Sequence, residues 1–325
     1  MKMNIWNIFG RLILTFMPKL VAEIQVFNIE GILAPVFTPF LETGRVDFDT
    51  IPIYMAQLNK EQVDGILIGG STGEGMSLSV DERKSLLEAW ITAAKPFGTK
   101  IIVQIGGAPM PHVIELAKHA EKVQAYAIMV LPELYYKPKN VEQLVHYIQR
   151  VSEAAPTLPL IYYHFPMMSG VDVDMRELFS VASSKIPNFK GAKADFGTAD
   201  QVASLLRSDQ RIFIANHQIA PSVLMGHNSS IATVNNMFPD LVHNIVNAVK
   251  DGDVVKARGL QRRLNDLVDA IAMQGDFFSS MKAAMELITG IRMGPMREPN
   301  VSLTSEQRER LKNHLKSLDI QLQCA

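Results

Sequence analysis

Apolar residues along this chain gather in short unbroken runs. Each run is separated from the next by a stretch carrying the three-to-four-residue rhythm of an amphipathic helix. The runs are Gly31–Thr38, Asp64–Gly70, Lys100–Gly107, Ala125–Pro132, Leu158–Pro166, Phe189–Ala194, Arg211–His217 and Ser229–Asn236. They are continuous rather than alternating, as expected of strands buried on both faces of a parallel sheet. Ser79 precedes a helix whose first turn carries Asp81 and Glu82, the acids a helix N-terminus favours. Further helices are predicted over Pro111–Val123, Asn140–Ala154, Asp174–Ser184 and Ala199–Ser208. Eight strand–helix units predict an α/β fold, a (β/α)8 TIM barrel. An open doubly wound sheet needs fewer units and a phosphate-binding glycine turn after its first strand, which this chain lacks. After Pro239 the strands stop, and Leu241–Lys250, Asp253–Met273, Phe277–Thr289 and Ser305–Ser317 read as helices. The first completes the eighth unit and the others form a C-terminal helical extension from about residue 251. Residues 30–325 are therefore expected to be one body, and residues 1–29 a loose N-terminal arm.

Composition narrows the partners. The 325 residues are 47% hydrophobic and 20% charged, enough for a single large core. The balance of 32 Lys+Arg against 33 Asp+Glu argues against nucleic acid or an anionic membrane surface as a partner. Cys324 is the single cysteine, which leaves no disulfide framework and no core thiol nucleophile; a reducing, cytoplasmic compartment is expected. No window reaches the ~18 apolar residues of a membrane span. Within the arm no acid precedes Glu23, and Arg11 interrupts the apolar stretch that a signal peptide requires. A basic presequence is the alternative to the reading favoured, a loose arm or a start site placed upstream of Met17.

Candidate chemistry collects at the strand ends, where barrels of this kind keep their reactive groups. Lys193 stands among small apolar neighbours, Gly191, Ala192 and Ala194, at the end of the sixth strand. Desolvation there favours the neutral amine, a nucleophile toward carbonyls. Tyr163 at the end of the fifth strand is a proton handler once a cation or hydrogen bond lowers its phenol from about 10. The loop Gly69–Gly75 offers backbone N–H groups and the hydroxyls of Ser71 and Thr72, a nest for a carboxylate or phosphate. Read alone, each of these features has a purely structural explanation; their coincidence on one rim points to Schiff-base chemistry. Asn216, His217 and Thr233 close the seventh and eighth strands on the same rim. The eight histidines contain no metal-ligand motif, so metal-free catalysis is expected.

Three segments resemble a known family. Gly70-Ser-Thr-Gly-Glu-Gly75, Tyr162-Tyr-His-Phe-Pro166 with Ser169-Gly170, and Gly191-Ala-Lys193 are similar to the signatures of the pyruvate-dependent class I aldolases. That family includes N-acetylneuraminate lyase and dihydrodipicolinate synthase. The similarity runs from about Gly31 to Pro299 and takes in Pro35-Val-Phe-Thr-Pro39 and Met293-Gly-Pro-Met-Arg297. The resemblance implies that Lys193 forms a Schiff base with pyruvate, with no separate cofactor. It implies that Tyr163 passes the proton during carbon–carbon cleavage and that Ser71 and Thr72 hold the pyruvate carboxylate. It also implies a homotetramer, in which Tyr135 or Tyr136 reaches a neighbouring subunit's site.

The lyase branch of the family is favoured. Glu74-Gly-Met-Ser-Leu-Ser79 and Tyr162-Tyr-His164 are similar to it, and Met167-Met168 stand where the synthases carry an arginine. The expected reaction is cleavage of N-acetylneuraminate, a sugar-derived 2-ketoacid, to pyruvate and N-acetylmannosamine. Departures from the pattern concern the aldehyde half. Asn216 and His217 replace two acids that bind the sugar tail, and Ile214 replaces a glycine, narrowing the pocket. Asp195 replaces a hydroxyl residue two positions beyond the lysine, on its side of the strand, where it is expected to raise the lysine's pKa. Thr233 replaces a serine. The alternatives are therefore an aldolase for another 2-keto-3-deoxy sugar acid, or a ketoacid-binding homologue without turnover.

Overall fold

The computed structural model describes residues 23–323; residues 1–22 of the expected arm, and Cys324, lie outside the described residues. Eight parallel strands close into a barrel in sequence order: β1 (Gly31–Pro35), β2 (Gly65–Ile68), β3 (Lys100–Gln104), β4 (Ala127–Val130), β5 (Leu160–Tyr163), β6 (Phe189–Ala194), β7 (Arg211–Ile214) and β8 (Ser229–Ile231). All but β6, which matches its run, are shorter than the apolar runs that announce them. The other seven runs continue past the strand into the rim loop.

The surrounding helices are α1 (Thr50–Lys60), α2 (Val80–Ala94), α3 (Met110–Lys122), α4 (Val141–Ala154), a single turn α5 (Pro166–Ser169), α6 (Met175–Lys185), α7 (Phe196–Val202), α8 (Ile219–Leu224) and α9 (Pro239–Lys250). The extension adds α10 (Val254–Ala272), α11 (Phe277–Thr289) and α12 (Ser305–Ser317). Local chemistry sets several starts. Ser79 and Glu82 form a reciprocal capping box on α2, with hydrogen bonds of 3.2 and 2.9 Å. Asn140 caps α4 and Asp174 caps α6. The helix expected at Ala199–Ser208 begins earlier and ends sooner, because Asp195 caps it and a 3-10 turn follows at Ala203–Leu205.

Two cores result. The outer one lies between the strands and the helices. The inner one fills the barrel with Leu33, Leu67, Ile102, Ala127, Met129, Ile161, Phe213 and Ile231. Residues 23–29 of the expected arm do not hang free of this body. Phe27 and Ile29 are buried in the inner core, and the Gln25 N–H donates to Thr157 O at 2.8 Å. Closing the barrel with apolar side chains removes surface from water at roughly 25 cal/mol per Å2. Among the described residues no helix is long and apolar enough to cross a membrane.

Candidate active site

On a strand of a closed barrel, one residue in two points into the lumen. On β6 the alternation is reset by an irregularity: Leu160 pairs with Phe189, but Ile161 pairs with Gly191, so Lys190 is passed over. Phe189 then packs outward, while Lys193 turns inward directly across from Tyr163. Gly191 makes this path possible. Its φ is +133°, and a Cβ there would stand 1.8 Å from the carbonyl oxygen of Arg211. The residue passed over, Lys190, pairs with Asp209 at 2.5 Å.

Lys193 is 5% exposed, and its ammonium donates to the Tyr163 phenol at 2.8 Å. Nζ also lies 4.0 Å from the centroid of the Tyr163 ring. That ring is stacked parallel on Phe165, with centroids 5.9 Å apart, which fixes its plane. Among the described residues no carboxylate forms an ion pair with Lys193; its hydrogen-bonding partner is the phenol.

The loop after β2 brings two hydroxyls to the same place. Ser71 Oγ is 3.3 Å from the Tyr163 hydroxyl, and Thr72 Oγ1 is 2.9 Å from Thr233 Oγ1. Thr38 Oγ1 donates to Gly73 O at 2.6 Å. Gly75 passes so close to Gly69 that a Cβ would meet its carbonyl oxygen at 1.9 Å. Gln104 ties the next rims to this loop: Nε2 donates to Gly69 O at 3.3 Å, and Oε1 accepts from Gly106 N–H and Leu131 N–H at 2.5 and 3.3 Å. Arg83 donates to Gln104 O at 2.9 Å, and burial lowers its guanidinium to about 10. Ser71, Thr72, Tyr163, Lys193 and Thr233, from four separate strand ends, thus form one cluster.

Other predicted residues lie elsewhere. Tyr162 belongs to the outer core and His164 points the same way, so of the Tyr-Tyr-His run Tyr163 is the residue that faces the lumen. His164 Nε2 stands 3.9 Å from Asp172 Oδ1, and burial holds the ring below its ordinary pKa. Among the described residues Asp195 forms no ion pair with Lys193. Its exposed carboxylate accepts the Thr198 N–H at 2.8 Å and caps α7, because the strand has ended and same-side alternation no longer applies. Ile214 does not narrow the pocket either. It is fully buried in the outer core and packs beside Ile219 and Val223, pointing away from the lumen. Asn216 Oδ1 accepts the Gln218 N–H at 3.1 Å in a local turn. Half-buried His217 is held below its ordinary pKa by desolvation, against the pull of Asp269. Tyr135 and Tyr136 lie away from the cluster on the surface, edge to face at 5.0 Å and 83% and 84% exposed.

Sequence reasoning left out another buried lysine, Lys282. Lys282 of α11 pairs with Glu74 at 2.8 Å, and both side chains are almost wholly buried. Its signal was a lysine on the apolar face of a helix, between Met281 and Ala284. Among the described residues, no group of three His, Cys, Asp or Glu is placed to hold a metal ion. The cluster's own equipment is an amine, a phenol and hydroxyls. Such a set can condense with a ketone, move a proton and bind a carboxylate.

The chain is 32% identical over 298 residues to N-acetylneuraminate lyase of Mus musculus, covering 90% of this chain and 93% of that one. It is likewise 32% identical over 301 residues to the Homo sapiens N-acetylneuraminate lyase, with 90% and 93% covered. Among solved structures, Proteus mirabilis N-acetylneuraminate lyase superposes with a TM-score of 0.85 at 27% identity, over 90% of this chain and 99% of that one. Residues 28–318 match the model of the dihydrodipicolinate synthetase family, and the chain belongs to that family.

Proposed function

We propose that this protein is a Schiff-base pyruvate lyase that cleaves N-acetylneuraminate to pyruvate and N-acetylmannosamine. The observation that carries the reading is the Lys193–Tyr163 pair: a buried amine 2.8 Å from a phenol that is itself 3.3 Å from the Ser71 hydroxyl. Lys193 adds to the ketone of the open-chain sugar acid and expels water, leaving a protonated imine. The Tyr163 hydroxyl gives its proton to the departing hydroxyl as the imine forms, and the phenolate so produced takes the proton of the C4 hydroxyl. The C3–C4 bond breaks, the imine accepts the electron pair as an enamine, and the aldehyde leaves. Protonation at C3 and hydrolysis then release pyruvate and regenerate the amine. Ser71 and Thr72 hold the ketoacid carboxylate, which aligns the breaking bond with the imine. The chemistry asks for no separate cofactor and no metal.

A second reading keeps the imine and changes the aldehyde. Asn216 and His217 present an amide and an imidazole held toward its neutral form where acids are expected, which favours another 2-keto-3-deoxy sugar acid. A homotetramer fits the exposed Tyr135 and Tyr136, which border a surface cavity of about 770 Å3; a cytoplasmic setting fits the lone cysteine.

Incubation with pyruvate and borohydride, followed by peptide mapping, tests the mechanism. Reduction is expected to fix a pyruvyl adduct on Lys193, and Lys193→Ala is expected to abolish it. An adduct elsewhere, or none, refutes the imine. Adduct formation without pyruvate release from N-acetylneuraminate selects the second reading or a ketoacid-binding homologue without turnover.

A further inference from the structure

We propose that Glu74 and Lys282 are positioning residues for the ketoacid: their buried ion pair latches the hydroxyl-bearing loop to the C-terminal helices and keeps Ser71 and Thr72 aligned with Lys193. The inference rests on the pyruvate reading above and extends it to a helix outside the barrel's eight units.

Glu74 follows Thr72 by two residues and adopts a left-handed backbone, φ +52°, without being glycine. Such a conformation needs surrounding structure to hold it. The side chain supplies that hold. Oε1 accepts from Lys282 Nζ at 2.8 Å, and Oε2 accepts from the Arg297 N–H at 2.8 Å and from Asn300 Nδ2 at 3.3 Å. Lys282 also donates to Pro295 O at 2.9 Å and lies 4.4 Å from the Phe40 ring centroid. Arg297 continues the latch. Nε donates to Gly44 O at 3.0 Å, and Nη1 pairs with Glu82 on α2 at 2.7 Å.

Two features separate positioning from simple stabilisation. A buried ion pair is a poor source of stability, because desolvation offsets most of its attraction and apolar replacements of equal shape are often as stable. What such a pair specifies well is geometry. Its two charges also cancel, and neither side chain hydrogen-bonds to Lys193, Tyr163, Ser71 or Thr72. It therefore acts on the site through the loop rather than through its field. The loop's other restraints, Thr38 on Gly73 and the close pass of Gly75 over Gly69, fix its depth. The Glu74 carboxylate fixes its outer edge.

The test is the pyruvate dependence of borohydride trapping on Lys193 in the full-length Glu74→Gln/Lys282→Met double variant, which removes both charges together. The half-saturating pyruvate concentration is expected to rise at least tenfold, while the fraction labelled at saturating pyruvate stays at the wild-type level. Lys282→Arg, which keeps the charge, is expected to remain within threefold. An unchanged half-saturation point overturns the proposal even if the melting midpoint falls, since the pair would then be structural only. If the double variant does not fold, Glu74→Asp reads the same quantity, and no rise there overturns it equally. Failure of the wild-type protein to trap pyruvate on Lys193 sinks the pyruvate reading and this inference with it, an outcome distinct from both.

Discussion

Replacing Tyr163 with Phe removes one oxygen and leaves the ring, so its consequences separate cleanly into structure and chemistry. The ring keeps its parallel stack on Phe165 and its place 4.0 Å from the lysine ammonium. What is lost is the acceptor 2.8 Å from Lys193 Nζ and the contact 3.3 Å from Ser71 Oγ. Leaving a buried donor without its partner costs about 1–3 kcal/mol. Losing a positioned acid–base group slows a reaction roughly 10²–10⁴-fold. At 1.36 kcal/mol per decade that is about 2.7–5.4 kcal/mol of barrier. The variant is thus expected to fold with a modestly lower melting temperature and to lose most of its turnover. Pyruvate release from N-acetylneuraminate, followed by coupled reduction of the pyruvate, measures kcat. Borohydride trapping measures imine formation separately, and Lys193 is expected to remain labelled. A kcat within about tenfold of wild type would refute the role of Tyr163, because that drop is smaller than a positioned acid–base group supplies.

Gly191→Ala is expected to abolish activity and most of the folded yield, since its Cβ would stand 1.8 Å from the Arg211 carbonyl; a soluble variant with wild-type melting temperature counts against that geometry. His164, His217 and His227 are each held by burial below their ordinary value of 6.5. The unfolded chain therefore takes up protons that the folded protein resists, so this contribution is complete above 6.5 and declines as pH falls. The melting temperature is expected to drop between pH 7.5 and 5.5, less steeply in His164→Gln; equal slopes in the two proteins would discount His164. Tyr135→Ala/Tyr136→Ala is expected to shift the sedimentation profile to smaller species with the fold intact by circular dichroism, and an unmoved profile removes these residues from the interface. Asn216→Asp/His217→Glu is expected to raise kcat/KM for N-acetylneuraminate at least tenfold if these positions select the aldehyde, and no change would remove them from specificity.

The eight strands were legible because burial on both faces leaves continuous apolar runs. The same property hid which residues face the lumen. An alternating strand would have displayed its two faces, but Leu160–Tyr163 and Arg211–Ile214 carry almost no polar residue to mark one. Tyr163 and Ile214 were both read as lining the pocket, and only Tyr163 does. Strand ends were blurred for a related reason, since the rim loops are themselves buried. Helix α1 was not among the helices expected, although Ile51, Tyr54, Met55 and Leu58 give it a readable stripe. Asp195 lies just past a strand end, where its carboxylate serves the next helix, whose N-terminus needs a cap, and no sequence pattern marks that boundary. The partner of Glu74 lies 208 residues away, and nothing local to either residue announces the other.

The irregularity on β6 explains why the lysine meets the phenol at all. Strand faces alternate with period two, so passing over one residue exchanges inside for outside for everything that follows. With unbroken pairing from Leu160 and Phe189, Tyr163 would stand opposite Ala192, and Lys193 would point toward the helices with Phe189. Skipping Lys190 turns Lys193 into the lumen and brings it into register with Tyr163. Two neighbours then have evident purposes. Gly191 supplies the backbone path that a side chain would block, and Lys190, the residue passed over, is held by Asp209. The Gly-Ala-Lys segment is thus more than a small-residue setting that desolvates an amine. Its glycine decides which side of the barrel wall the amine occupies, and hence whether the strand end carries a nucleophile or a structural charge.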